Sequence, residues 1–187
     1  TWEDHGCSAT GSAFKDAEDK RVNSGVHHLK HQDDDLAATI GLYGYLTSRD
    51  GVEWRKPIVN PTARSNRVLP PPGTNSFGGQ GIMKDTFDID PTRRYKMIYT
   101  HNPDKDSSNY QTCAAYSPAG ITWTAEPTNP LIPFGDTQNV PLWDVPRQSY
   151  VAYVRTAPPH AHGIPRAESP AFIHWAPKEL GRASWRE

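Results

Sequence analysis

The sequence predicts an all-β protein made of β-propeller blades, each of four short antiparallel strands, and three observations carry that prediction. The first is a phrase that recurs three times: Ser48-Arg-Asp-Gly51-Val-Glu-Trp54, Ser117-Pro-Ala-Gly120-Ile-Thr-Trp123 and Ser169-Pro-Ala-Phe172-Ile-His-Trp175. A turn rich in Ser, Asp and Gly between two short apolar runs is a hairpin signal, and here the second strand opens on Trp. The second observation is that the repeat extends upstream, and regular self-similarity at this scale points to a repeat architecture rather than one continuous sheet. The third is composition: 14 Gly and 18 Pro among 187 residues leave little room for long helices, and no segment holds a helical period. Hydrophobic content is 35%, low for a packed core, but 6 Trp, 8 Tyr and 5 Phe suit half-buried strands.

The elements follow in order. The first unit, about residues 7–57, starts with Gly11-Ser-Ala-Phe-Lys-Asp16, turns through Glu18-Asp-Lys-Arg21 and reaches its hairpin through Leu42-Tyr-Gly-Tyr-Leu46. The second, about residues 78–127, starts with Gly81-Ile-Met-Lys-Asp85 and continues through Arg94-Tyr-Lys-Met-Ile-Tyr99 and Cys113-Ala-Ala-Tyr116. The third, about residues 136–179, starts with Val140-Pro-Leu-Trp-Asp144 and continues through Tyr150-Val-Ala-Tyr-Val154 and Ile164-Pro-Arg-Ala167. Each unit is an apolar strand ending in Asp, a turn, a Tyr-rich strand, a loop and the Trp hairpin, which is what a propeller blade needs. Closed propellers have roughly 4–8 blades. Three blades would leave two open edges, an aggregation hazard unless covered. The chain is therefore expected to be a segment of a longer protein, with self-association through the open blade edges as the alternative.

Charge and chain ends narrow the partners. A net charge of −1 argues against nucleic acid or an anionic membrane surface. No apolar stretch approaches the roughly 20 residues that span a bilayer. The chain opens at Thr1 without a signal peptide, so a processed or truncated product is expected, in an extracytoplasmic or secreted setting. Cys7 and Cys113 fall in different blades and read as two buried thiols rather than a disulfide framework.

Several phrases resemble one family. Thr1-Trp-Glu3, Arg93-Arg-Tyr-Lys-Met97, Phe134-Gly-Asp-Thr-Gln-Asn139, Tyr150-Val-Ala-Tyr-Val-Arg155 and Arg166-Ala-Glu-Ser169 followed by Phe172-Ile-His-Trp175 resemble the five-bladed propellers similar to glycoside hydrolase families 32 and 43. The resemblance runs from Trp2 to about Lys178. It implies about three blades of a five-bladed propeller, carbohydrate as partner and glycoside hydrolase-like activity. The Asp-Pro-Asn, Arg-Asp-Pro and Glu-Cys motifs of the better-studied relatives are absent from this chain.

Glycoside hydrolysis uses two carboxyl groups across the scissile bond. In a propeller the site lies at the axial end, where the innermost strands converge, so candidates are sought just ahead of first strands. Asp136 leads, because Asp136-Thr-Gln-Asn139 sets four polar side chains before an apolar strand. Capping of a turn explains Asp136 about as well. Glu3 is its expected partner, and Glu168 is a substitute acid because it breaks the repeat at the position of Thr47 and Tyr116. Asn139, Arg155 and Arg166 are expected sugar contacts, the arginines through their forked donors.

Other motifs read as structural. Asp16, Asp85 and Asp144 recur at one place in each unit and fit turns better than catalysis. Trp54, Trp123 and Trp175 fit packing between blades better than stacking on sugar. His27, His28 and His31, ahead of Asp33-Asp-Asp35, read as a solvated insertion between the second and third strands of the first blade, and His160 and His162 as a loop pair. Neither cluster has the spacing of a zinc motif, so no metal or other cofactor is expected. The hairpin phrase is also similar to the Asp box of sialidases, but one residue short and with Ala119 and Ala171 in place of Asp in two copies. The competing function is a non-catalytic glycan-binding or self-assembling structural module.

Overall fold

The computed structural model describes residues 11–15, 22–30, 40–68, 78–103, 110–132, 135, 139–156 and 163–178. The described strands form three antiparallel sheets, each a meander in chain order. Blade one contains β1 (Gly11–Lys15), β2 (Val22–Lys30), β3 (Ile40–Ser48) and β4 (Trp54–Arg55), with β5 (Arg67–Val68) added beside β3. Blade two contains β6 (Gly78–Lys84), β7 (Tyr95–His101), β8 (Gln111–Ser117) and β9 (Thr124–Ala125). Blade three contains β10 (Val140–Asp144), β11 (Ser149–Tyr153), β12 (Arg166–Ser169) and β13 (Ala176–Lys178). These are propeller blades of four strands, as the repeat predicts.

β5 was not foreseen. β4 is only two residues long and pairs with Thr47 and Ser48, which leaves the rest of the β3 edge open. β5 takes up that edge at Tyr43 and Gly44. The Asn66 side chain secures the return by donating to the Tyr45 carbonyl at 3.0 Å. A second correction concerns the histidines: His27 and His28 lie within β2, opposite Tyr43 and Leu42, and not in an insertion. His31, His160 and His162 lie outside the described residues.

The recurring serine is the pivot of each hairpin. Ser48 Oγ accepts from the Gly51 N–H at 2.8 Å, and Ser117 Oγ accepts from the Gly120 N–H at the same distance. Gly51 and Gly120 have φ of 80° and 73°, the left-handed region that glycine enters without steric cost. In the third copy Ser169 Oγ accepts from the Ala171 N–H at 3.3 Å, and Phe172 occupies the glycine position at φ 63°. A bulky residue there is strained. Its ring is fully buried and packs edge-on against Tyr150 and Trp175, at 5.2 and 5.3 Å. Burial of the aromatic ring offsets the backbone cost.

The core lies in the seams between blades. Val68, Ile82, Met97, Tyr99, Cys113, Ala115 and Trp123 fill the seam between blades one and two. Ile98, Ala114, Tyr116, Tyr150, Ala152, Phe172 and Trp175 are part of the seam between blades two and three. Trp123 and Trp175 therefore pack between blades. Cys113 carries a free buried thiol, and burial pushes its pKa up to about 12. Cys7 lies outside the described residues.

Candidate functional site

The first strands run along the inside of the arc: β6 lies beside β1 on one side and β10 on the other. Their starts therefore converge on one end of the axis. Two local features shape that end. The register between β6 and β7 shifts between Gly78 and Gly81, a bulge at the entry of the innermost strand. Gly81 permits close approach of the next blade, since a Cβ there would lie 1.9 Å from the Asn139 carbonyl oxygen and 2.4 Å from Pro141 Cδ.

Gln80 sits in the bulge. It is 6% exposed, and its amide nitrogen has no hydrogen-bond partner among the described residues. A buried amide left unpaired is costly, of order 1–3 kcal/mol. Asn139 enters from the other side, is buried, and donates to Thr100 Oγ1 at 3.1 Å. The start of β10 is thereby tied to the second strand of blade two.

The sequence-predicted residues divide. Asp136 and Glu3 lie outside the described residues. Asn139 stands at the axial end just described. Arg155 follows β11, between Val154 and the Thr156–Gly163 bridge. Arg166 and Glu168 stand together on β12, two strands away from the innermost one, and are ion-paired. Arg147 Nε lies 4.0 Å from Glu168, and Asp144 pairs with Arg147 at 2.8 Å and with Arg166 at 3.7 Å. Glu168 does stand at the repeat position of Tyr116 and Thr47: it pairs with Val151 as Tyr116 pairs with Lys96 and Thr47 with Asn23.

The same alignment exposes a residue that sequence reading passed over. Lys96 occupies the position of Val151 and is fully buried. Its ammonium lies 2.9 Å from Asp85 and 2.5 Å from Asp88, and donates to the Arg93 carbonyl at 3.1 Å. The rings of Tyr116, Tyr150 and Phe172 surround it at 5.6 to 5.9 Å from their centroids. Tyr150 donates to Asp85 at 2.6 Å across the seam, while the other Asp85 oxygen accepts from the N–H groups of Phe87 and Asp88. Burial pushes the Asp85 carboxyl upward, but Tyr150, Lys96 and the Phe87 N–H outweigh it, and the net shift is downward. Burial, and then the bond to Asp85, push the Tyr150 hydroxyl up. Asp85 thus makes the turn that its sequence position predicts and also anchors a closed ionic clamp between blades two and three. Fully buried groups of this kind cannot meet a substrate.

At Asp144, as at Asp85, the carboxylate accepts from a turn N–H, that of Arg147 at 3.2 Å. Asp16 lies outside the described residues. Among the described residues no group of three or more His, Cys, Asp or Glu is placed to hold a metal ion.

No protein-family model matches this chain, and no curated protein matches it. Solved structures do. It is similar to a fructofuranosidase from Schwanniomyces occidentalis complexed with fructose, at TM-score 0.70 and 19% identity over 96% of this chain and 35% of that one. It is similar to fructan 1-exohydrolase IIa from Cichorium intybus, at TM-score 0.59 and 17% identity over 86% of this chain and 29% of that one. It is also similar to an N-acetylgalactosamine deacetylase from F. plautii in complex with blood group B trisaccharide, at TM-score 0.61 and 14% identity over 90% and 51% of the two chains. The chain spans about a third of the length of the fructofuranosidase. At these identities the likeness establishes the fold, the propeller fold of fructofuranosidases and other glycoside hydrolases.

Proposed function

We propose that this chain forms part of a carbohydrate-active, glycoside hydrolase-like propeller whose sugar site is the axial end where β1, β6 and β10 begin. The observation that carries the reading is Gln80, a buried amide donor with no partner among the described residues, at the bulge of the innermost strand. Sugar hydroxyls are acceptors of the kind it lacks. Three similar structures support the reading, because their names record fructose, a fructan and a blood-group trisaccharide.

Within this reading Asp136, just ahead of β10 in the sequence, and Glu3, ahead of β1, are the carboxylate pair. One protonates the leaving oxygen while the other acts as base or nucleophile. Asn139 orients the entry of β10 through Thr100, and Arg155 is the arginine contact, while Arg166 stands two strands out from β10 in its pair with Glu168. Glu168 would have to give up its ion pair with Arg166 to serve as the substitute acid.

The test is hydrolysis of fructose-terminated and N-acetylgalactosamine-terminated oligosaccharides by the full chain, with Asp136→Asn and Glu3→Gln alongside. Turnover lost in both variants, with sugar binding retained, supports the catalytic pair. Binding without turnover in any form supports the glycan-binding alternative. Neither binding nor turnover overturns the proposal.

A further inference from the structure

The turn that follows β6 holds an aromatic ring out to solvent on a stiff frame. Asp85 accepts from the N–H groups of Phe87 and Asp88 at 2.8 and 3.2 Å, Asp88 from that of Asp90 at 3.0 Å, and Asp90 from that of Thr92 at 2.9 Å. Three aspartates thus fix the turn almost residue by residue, and Asp85 is itself locked to Lys96 and Tyr150. Phe87 is nevertheless 54% exposed and Ile89 99%. Apolar side chains on so fixed a backbone give up little freedom when they bind.

The Phe87 ring does not stand alone. It stacks on Trp143 of blade three, with centroids 5.2 Å apart and planes 25° from parallel. Trp143 in turn meets Tyr150 edge-on at 4.7 Å and packs against the core of the seam between blades two and three. One face of Phe87 is therefore backed by a fixed ring, and its exposure lies on the remaining surface. Both sides of that seam are described, so the stack is complete in itself. Each ring is followed in sequence by an aspartate paired with an arginine: Asp88 with Arg93 at 3.6 Å, and Asp144 with Arg147 at 2.8 Å.

We propose that Phe87, backed by Trp143, is a second sugar platform, for a neutral pyranose, at the end of the strands remote from the axial site. The C–H face of a pyranose is apolar and slightly positive, and the face of an aromatic ring is its complement. The two aspartate–arginine pairs cancel in charge, and they offer acceptors and donors to hydroxyl groups without favouring an ionised sugar. Phe87, Ile89 and Val145 are the large exposed apolar side chains of the two turns. Three side chains fall far short of the roughly 20–30 residues that a stable protein interface engages on each side. One ring face does match one sugar ring. β6 is seven residues long and begins at the axial end, which sets the two sites about 20 Å apart. The platform is separate from the axial site and does not depend on it.

The experiment is a titration of methyl β-galactopyranoside and methyl β-glucopyranoside into the full chain. The Trp143 indole N–H and the Phe87 backbone N–H are followed by nuclear magnetic resonance. Both signals are expected to shift saturably, with millimolar affinity for at least one of the two sugars. Phe87→Ala is expected to weaken that binding roughly tenfold, the worth of one aromatic contact, and Phe87→Trp to keep it. Gln80→Ala is expected to leave it unchanged, which separates this site from the axial one. Phe87 is an exposed turn residue, and thermal unfolding checks that each variant folds. Trp143 and Phe87 signals that stay unmoved up to the solubility limit of both sugars overturn the proposal. So does a Phe87→Ala chain that binds as tightly as the wild type, or binding that Gln80→Ala abolishes.

Discussion

Asp85 and Asp144 occupy one repeat position in neighbouring blades, and the two carboxylates live in different worlds. Asp85 is fully buried, with Lys96 at 2.9 Å and the Tyr150 hydroxyl at 2.6 Å. Asp144 pairs at 2.8 Å with Arg147, whose side chain is 61% exposed. Both accept from a turn N–H, so the local reason for an aspartate is shared. The difference is what covers them. Blade three closes over Asp85 and brings Tyr150 and Phe172, whereas Asp144 lies on the outward face, where the described chain supplies no further blade. A local turn residue becomes a clamp only where the next blade packs on it.

The comparison can be broken at Lys96. Removing one partner of a buried, hydrogen-bonded ion pair costs about 3–5 kcal/mol, because the other charge stays buried and unpaired. Lys96→Ala should lose that much in denaturant unfolding. The double variant Lys96→Met with Asp85→Asn should lose less than Lys96→Ala alone. A double variant as damaged as the sum of its parts would show that the charges are not coupled.

Phe172 gives the next largest effect and an unusual ordering. Phe172→Ala removes a buried ring, for about 3–5 kcal/mol, and leaves a Cβ in the left-handed region. Phe172→Gly loses the same ring but relieves the backbone, a difference of roughly 1–2 kcal/mol. Glycine should therefore be the milder substitution, as measured by thermal or chemical unfolding. If alanine is the milder one, the strain assigned to φ 63° is not present.

Acid sharpens the contrast. The folded Asp85 carboxyl sits below its ordinary value, so its stabilisation is present above that value and is lost as pH falls through the depressed one. Arg147 likewise holds Asp144 down by a side-chain hydrogen bond, but in solvent. Stability measured from neutral pH to below about pH 4 should fall, and Asp85→Asn should flatten that fall more than Asp144→Asn. The smallest effect is expected at the surface, where Arg147→Ala should leave the unfolding midpoint nearly unchanged, because an exposed ion pair gains little over water.

Much of the fold was legible because it repeats. The Ser-to-Trp phrase located all three hairpins, and the structure adds that its serine oxygen accepts a turn N–H in each. The aspartate turns were legible for the same reason. What one period cannot reveal is the partner across a seam. Lys96 stands where blade three has Val151, yet only the packed structure shows Asp85, Asp88 and three rings closing on it. The Phe in place of Gly51 and Gly120 was visible in the aligned phrases, and its side chain filling a core was not. Gln80 gave no sequence signal, because its burial arises from a bulge that pairing alone creates. Asn139 was singled out from the polar run ahead of β10, and its side-chain amide donates to Thr100.

The axial sugar site is the central claim, and the side-chain amide of Gln80 reports on it most directly. Its two N–H signals should be followed by nuclear magnetic resonance while a fructose-terminated oligosaccharide is titrated into the full chain. The account predicts a saturable shift of that amide, with Asn139 moving alongside, and loss of binding in Gln80→Ala while the fold is kept. An unmoved Gln80 amide at saturating sugar, or shifts confined to the hairpin tips around Val52 and Val145, would contradict it.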